Sequence, residues 1–351
     1  MRHAAVLTLF VSVAFAACQA GSGGAGSLAW QPVPDVSAFT AATVYDVAAS
    51  TSGFVAVGSV SQSGHTVAAA WTSSDGRSWT RAADAPPYAD RLFARVTHTT
   101  AGFVAIGYDC LATGECGGAE IWTSPDGRSW TDLTTLKADR LDALATDATR
   151  VVAVATVGAG AATFTSPGGS TWAPAVTTSS FTGASLGAVA FGGPGMVVVG
   201  GTSAGPAVWT SVDGATWTPI SNGSALGSGE MRDLAASNTA LVAVGRNGSD
   251  ATAWASKDGL AWSQAPASAA MTGGVMDRVA SIGTAFVAAG QDAQGGAIWS
   301  SADGLAWTKA SLDAAVAGGQ FGAVVADAGM AVAFGVDGHE RVLIEVAPVA
   351  P

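Results

Sequence analysis

Basic residues are scarce in this sequence. Only 15 Lys and Arg are spread through 351 residues, and they form no run. The electrostatic footprint of a nucleic-acid binder is therefore missing. Charge of either sign is thin, at 12% of residues, with a net value of −11. The Leu, Glu and Lys that build helical bundles are too few for that class. An acidic surface keeps a chain soluble and discourages phosphate-rich partners. Cysteine occurs three times, at Cys18, Cys110 and Cys116, and the nearest histidine to the last two, His98, belongs to another segment. That is a poor metal-ligand set. The longest early apolar run, Ala4 to Ala17, has 14 residues, against the roughly 20 that a spanning helix needs.

What the chain has in quantity is glycine, 46 copies, with Ala, Val, Ser and Thr making up much of the rest. That mixture suits many short strands joined by tight turns. The start of the chain reads as an export signal: Arg2 and His3, then the apolar run. Its end, Phe15-Ala16-Ala17-Cys18, resembles a bacterial lipobox, with Phe15 where leucine is usual. The resemblance implies that residues 1–17 are removed and that Cys18 is lipidated. Residues 18–26 then form a flexible Gly/Ser tether, and residues 27–351 form one domain. The expected address is the extracytoplasmic face of a bacterial envelope, with a lipid anchor at a membrane surface. In that oxidising setting Cys110 and Cys116, with five residues between them, are expected to close a small disulfide ring.

One hairpin recurs six times: Trp71 to Trp79, Trp122 to Trp130, Phe164 to Trp172, Trp209 to Trp217, Trp254 to Trp262 and Trp299 to Trp307. The starts are 51, 42, 45, 45 and 45 residues apart, and the cysteine insertion accounts for the longest gap. Eleven of the 12 tryptophans lie in these hairpins; Trp30 is the other. Each is preceded by an apolar run such as Gly53 to Gly58, and that by an element typified by Tyr45-Asp46-Val47-Ala48. A repeat of this size signals stacked supersecondary units. The Asp-Gly pair between strand-like runs marks a tight turn whose glycine takes positive φ. Gly168 stands in place of the aspartate in the third copy, which predicts a turn without its carboxylate. The seventh unit has no fourth strand after Ala347, whereas Leu28 to Pro34 resembles one. The chain is therefore expected to be an all-β, seven-bladed propeller of four-stranded blades, closed by an N-terminal strand in the last blade.

The hairpins, for example Ser73-Ser74-Asp75-Gly76-Arg77-Ser78-Trp79, resemble the Asp-box (BNR-repeat) propellers of the sialidase superfamily. The family pattern Ser-X-Asp-X-Gly-X-Thr-Trp is one residue longer. The resemblance implies a propeller with these turns on the outer rim, away from the ligand face. Sialidases of that family have six blades, three arginines for the substrate carboxylate, a Tyr/Glu nucleophile pair and an aspartate acid/base. With three tyrosines and five glutamates, and only Tyr45 aligned with the start of an inner strand, no catalytic residue is carried over. Seven-bladed relatives of the photosystem-assembly-factor type are scaffold proteins and fit the blade count better.

Aligning the seven units gives one column of Asp46, Arg95, Ala143, Ala188, Asp233, Arg278 and Ala323, preceded by Tyr45, Ala94, Asp142, Gly187, Arg232, Asp277 and Gly322. The next residue is always Val or Leu. Charges are thus expected at the channel mouth above an apolar layer. Tyr45, Asp46, Arg95, Asp142, Arg232, Asp233, Asp277 and Arg278 are the candidate ligand-binding residues, since arginine offers paired donors and aspartate acceptors. The competing expectation is a self-neutralising ring that seals the channel, with Asp46, Asp142, Asp233 and Asp277 balanced by Arg95, Arg232, Arg278 and Arg140. No cofactor and no metal are expected. The functional expectation is a monomeric, surface-anchored, non-catalytic propeller binding a protein or glycan partner. The alternative is a sialidase-like glycoside hydrolase or lyase acting through Asp46, Asp142, Asp233 or Asp277.

Overall fold

A strand covered on both faces reads as a continuous apolar run rather than an alternation. Phe54-Val55-Ala56-Val57 is such a run, and every residue from Gly53 to Val60 is buried. In the computed structural model, which describes residues 28–83, 88–110, 116–147, 149–158, 160–173, 176–177, 179–221, 226–327 and 329–349, these runs become the second strands of seven four-stranded antiparallel sheets arranged as a propeller. Six sheets take their strands in chain order. The seventh joins Gln31–Pro32 to the last three strands of the chain. Gln31 and Pro32 pair with Val346 and Glu345, and the Val33 N–H donates to the Ile344 carbonyl at 2.8 Å. Trp30 is buried in the cluster between blades six and seven. Residues 1–17 and Cys18 lie outside the described residues.

The third strands carry an aromatic layer. Trp71, Trp122, Phe164, Trp209, Trp254 and Trp299 each face a small residue or valine on the second strand: Ala56, Ala105, Ala153, Val198, Ala243 and Ala288. Large against small lets neighbouring layers interdigitate. The indole N–H still needs an acceptor when buried. Trp71, Trp209, Trp254 and Trp299 donate to the carbonyls of Ala38, Ser180, Leu226 and Ala270, at 2.7–2.8 Å, in the connections that lead into their own blades.

The repeated turn works as a wedge between blades. Asp75 Oδ1 accepts the N–H groups of Arg77 and Ser78 at 2.8 and 2.7 Å, and the Ser73 hydroxyl at 3.0 Å. Ser73 Oγ accepts the Gly76 N–H, and the Trp79 indole donates to the Gly76 carbonyl. The backbone part of this pattern recurs at Asp126, Asp213, Asp258 and Asp303. The glycine is held on two counts. Gly127 has φ +74, and a Cβ there would lie 2.4 Å from Val55 of the preceding blade; at Gly304, φ +76, the distance to Val242 would be 2.2 Å. In the third copy, where Gly168 replaces the aspartate, the Ser166 hydroxyl is buried and has no partner among the described residues. The missing carboxylate has left its hydroxyl behind.

Cys110 and Cys116 form a disulfide, Cα to Cα 4.0 Å. They sit opposite each other where the second and third strands of blade two end and begin.

Candidate functional site

The inner strands are Ala42–Ser50, Arg91–Thr99, Arg140–Thr146, Ser185–Gly192, Glu230–Ala236, Val275–Ile282 and Gln320–Ala326. Each slips register once against the second strand. The skipped residues are Tyr45, Ala94, Asp142, Gly187, Arg232, Asp277 and Gly322. A bulge sets two successive residues against one partner and turns the strand locally. Two consecutive positions can therefore approach the channel mouth. In blades two and six both do: Ala94 with Arg95, and Asp277 with Arg278, line one cavity.

That cavity has a volume of about 740 Å³ and spreads over blades two to six. Of the eight candidate residues it is lined by Arg95, Asp142, Arg232, Asp277 and Arg278, and not by Tyr45, Asp46 or Asp233. Tyr45 is the half-buried bulge residue of blade one. Asp46 and Asp233 are structural partners of the next blade. Asp46 accepts the Val47 N–H at 2.9 Å and the Val96 N–H of blade two at 3.0 Å. Asp233 accepts the Val279 N–H of blade six at 2.8 Å. Burial raises the pKa of both, and Arg95 and Arg278 offset part of that rise.

The ion pairs divide the charges unequally. Arg140 Nε lies 2.5 Å from Asp142 Oδ1, and Asp142 also accepts the Thr156 hydroxyl at 3.0 Å. Arg232 reaches Asp277 at 2.5 Å and Glu230 at 3.3 Å, and Arg246 holds the same Glu230 at 3.1 Å. Burial raises the pKa of Asp142 despite its arginine. Arg95 and Arg278 stand apart. Among the described residues neither has a carboxylate within 4.0 Å; Nη1 of each donates to the carbonyl of the residue before it, Ala94 or Asp277, at 2.8 Å. Burial lowers the Arg95 pKa, and the Arg278 charge lowers it further. The self-neutralising seal is thus half built. Two pairs close, and two guanidinium groups face an open cavity. The physical reason is that Asp46 and Asp233 spend their oxygens on backbone N–H groups rather than on the arginines beside them.

Three lining residues with titratable side chains were not among the candidate ligand-binding residues. Tyr108 bridges blades two and three by donating to the Leu141 carbonyl at 2.6 Å and accepting the Leu141 N–H at 3.0 Å. Arg140 and Glu230 hold the neighbouring charges. Glu230 corrects the expectation that no glutamate begins an inner strand: it is the first residue of Glu230–Ala236. Its place two residues before the bulge was the available signal. Among the described residues no group of three or more His, Cys, Asp or Glu could hold a metal. His65 bonds Asp90 at the far end of a hairpin, and His98 packs on Phe103.

No protein-family description matches this sequence, and no curated protein matches it. Solved structures do match in fold. YCF48 bound to a D1 peptide superposes with a TM-score of 0.58 at 16% identity, covering 93% of this chain and 98% of that one. The β-propeller domain of the Trilobed protease from Pyrococcus furiosus gives 0.58 at 8% identity, covering 88% and 96%. Sqt1 of Chaetomium thermophilum, bound to the N-terminus of ribosomal protein L10, gives 0.53 at 12% identity, covering 87% and 96%. At such identities the similarity is one of fold.

Proposed function

We propose that this chain is a non-catalytic propeller, tethered to the bacterial envelope through Cys18, that holds a protein partner at its channel mouth. The observation carrying this reading is the cavity of about 740 Å³ in which, among the described residues, Arg95 and Arg278 have no carboxylate partner, while Asp142 and Asp277 are already held by Arg140 and Arg232. Unpaired guanidinium groups at a partly desolvated site favour an anionic group from a ligand. A peptide suits the walls better than a glycan. Among the described residues the one aromatic lining residue is Tyr108, whose hydroxyl is taken by Leu141, and five lining glycines offer backbone rather than a sugar platform. Two of the fold neighbours carry a peptide or a protein terminus, which supports the same reading. The Asp-box resemblance and the lipoprotein type belong to this proposal too.

The test is capture from the intact envelope by the full-length protein and by an Arg95→Ala/Arg278→Ala variant. The expected result is a partner enriched by the first and lost by the second, with capture weakening as salt rises. Equal capture by both would refute the site. The hydrolase reading has one observation in its favour, the raised pKa of Asp142 at the cavity wall, as a general acid needs. Its carboxylate is nevertheless tied to Arg140 and Thr156. Turnover of aryl glycosides that disappears in Asp142→Asn would restore that reading.

A further inference from the structure

Glu345 breaks the aromatic layer. Six third strands carry Trp or Phe at one register position; in blade seven the residue facing Ala333 is Glu345. It is 2% exposed. No described residue hydrogen-bonds its carboxyl group. Its two cross-strand neighbours are Ala333 and Pro32 of the closing strand. Leu343 and Ala347, which share its side of the strand, belong to the cluster of Trp30, Val287, Ile298 and Leu312 between blades six and seven.

Among the described residues the surroundings supply no counter-charge. The connection into blade seven, from Asp313 to Ala317, repeats the geometry seen before blade one, with the Val316 N–H on the Asp313 carbonyl as the Phe39 N–H is on that of Val36. In blade one that connection gives the Trp71 indole a carbonyl. In blade seven it brings another acid, Asp313. Lys309 in the same segment is held by Asp292, and Arg341 by Asp337. Asp327 and Glu340 lie at strand ends and add no cation.

We propose that Glu345 makes the seam between blades six and seven a proton-operated latch, closed while the carboxyl is protonated and loosened when it ionises. The seam is where a loosening would matter. Every other outer strand is joined by a turn to the strand it pairs with, whereas Gln31–Pro32 is held to the last strand without a chain connection. Burial, with the Asp313 charge adding to it, pushes the Glu345 pKa up to about 7. In the unfolded chain it titrates near an ordinary glutamate, at roughly 4.3. The native state therefore favours the protonated form. Its contribution is full below the unfolded value, falls as pH rises to about 7, and is lost above that. This device is independent of what binds the channel mouth.

The experiment is thermal unfolding of the full chain and of Glu345→Gln at pH 5 and pH 8. The wild-type midpoint should fall by about 5 °C more than that of the variant between the two values. Amide exchange at Val33, corrected for its intrinsic pH dependence, should accelerate about tenfold in the wild type alone. If the variant does not fold, the carboxyl carbon resonance of Glu345 in the wild type reads the titration directly. A midpoint near that of free glutamate, or the same pH dependence in both proteins, would overturn the proposal.

Discussion

Aspartates at the rim and at the channel mouth use the same bond and end with opposite electrostatics. At the rim, Asp213 accepts the N–H groups of Thr216 and Ala215, is exposed, and is held down to about 2 by them. At the channel, Asp46 and Asp233 also accept backbone N–H groups, yet burial drives both upward. Hydrogen bonds to the ionised form lower a carboxyl pKa, and desolvation raises it. The rim shows the first effect with little of the second. At the channel the second wins even with an arginine nearby. Water access, rather than the number of donors, separates a turn-stabilising carboxylate from one that caps the neighbouring blade.

The largest expected effect comes from breaking the channel side. Asp233→Ala strands the Val279 N–H and removes a carboxylate that interacts with the Arg278 charge, at a cost of about 3 kcal/mol. Urea unfolding measures it, and a loss under about 1 kcal/mol would mean that channel water replaces the carboxylate. The rim counterpart, Asp303→Ala, removes bonds to Leu305 and Ala306 that water can reach, so about 1 kcal/mol is expected in the same assay.

Acid should separate the two sets by sign. The rim contribution of Asp213 is present above its unfolded pKa and is lost as pH falls toward about 2. The channel carboxylates do the reverse: their folded pKa values are raised, so stability declines as pH climbs past the unfolded value. Asp213→Asn should flatten the acid limb of a stability–pH curve, and Asp233→Asn the limb above it. Both variants changing the same limb would collapse the distinction. The smallest effect is expected at the hydroxyls. Ser301→Ala should cost about 0.5 kcal/mol by removing a partner of Asp303 and Gly304. Ser166→Ala should be near neutral, because that hydroxyl is already unsatisfied.

Much of the architecture was readable because repetition made it so. Trp30 stood outside the six hairpins yet matched their last element; it packs between blades six and seven, and Gln31–Pro32 beside it closes the ring. Gly168 signalled a turn without its carboxylate, and Ser166 records the loss. The bulge was not readable as a bulge, since its seven occupants, from Tyr45 to Gly322, share no residue type. It showed only as two adjacent charged columns. Tyr108 escaped notice because its role, a bridge to Leu141 from the next blade, joins residues 33 apart in sequence. Glu345 was visible as a residue, but without a hairpin after it the seventh unit offered no tryptophan to align against.

Periodicity, turn chemistry and the unmatched strand at each end determined by themselves that this chain builds seven four-stranded blades and closes them with its own N-terminal segment. Those are local rules applied seven times, so they survive without coordinates. Which charges pair was decided only in the folded ring. The formal charges at the mouth balance in sequence, yet Asp46 and Asp233 turn to backbone N–H groups across the blade boundary, and Arg95 and Arg278 are left facing the cavity. Pairing depends on directions and distances between residues some 45 to 50 positions apart in the chain, set by bulge geometry and the curvature of the ring.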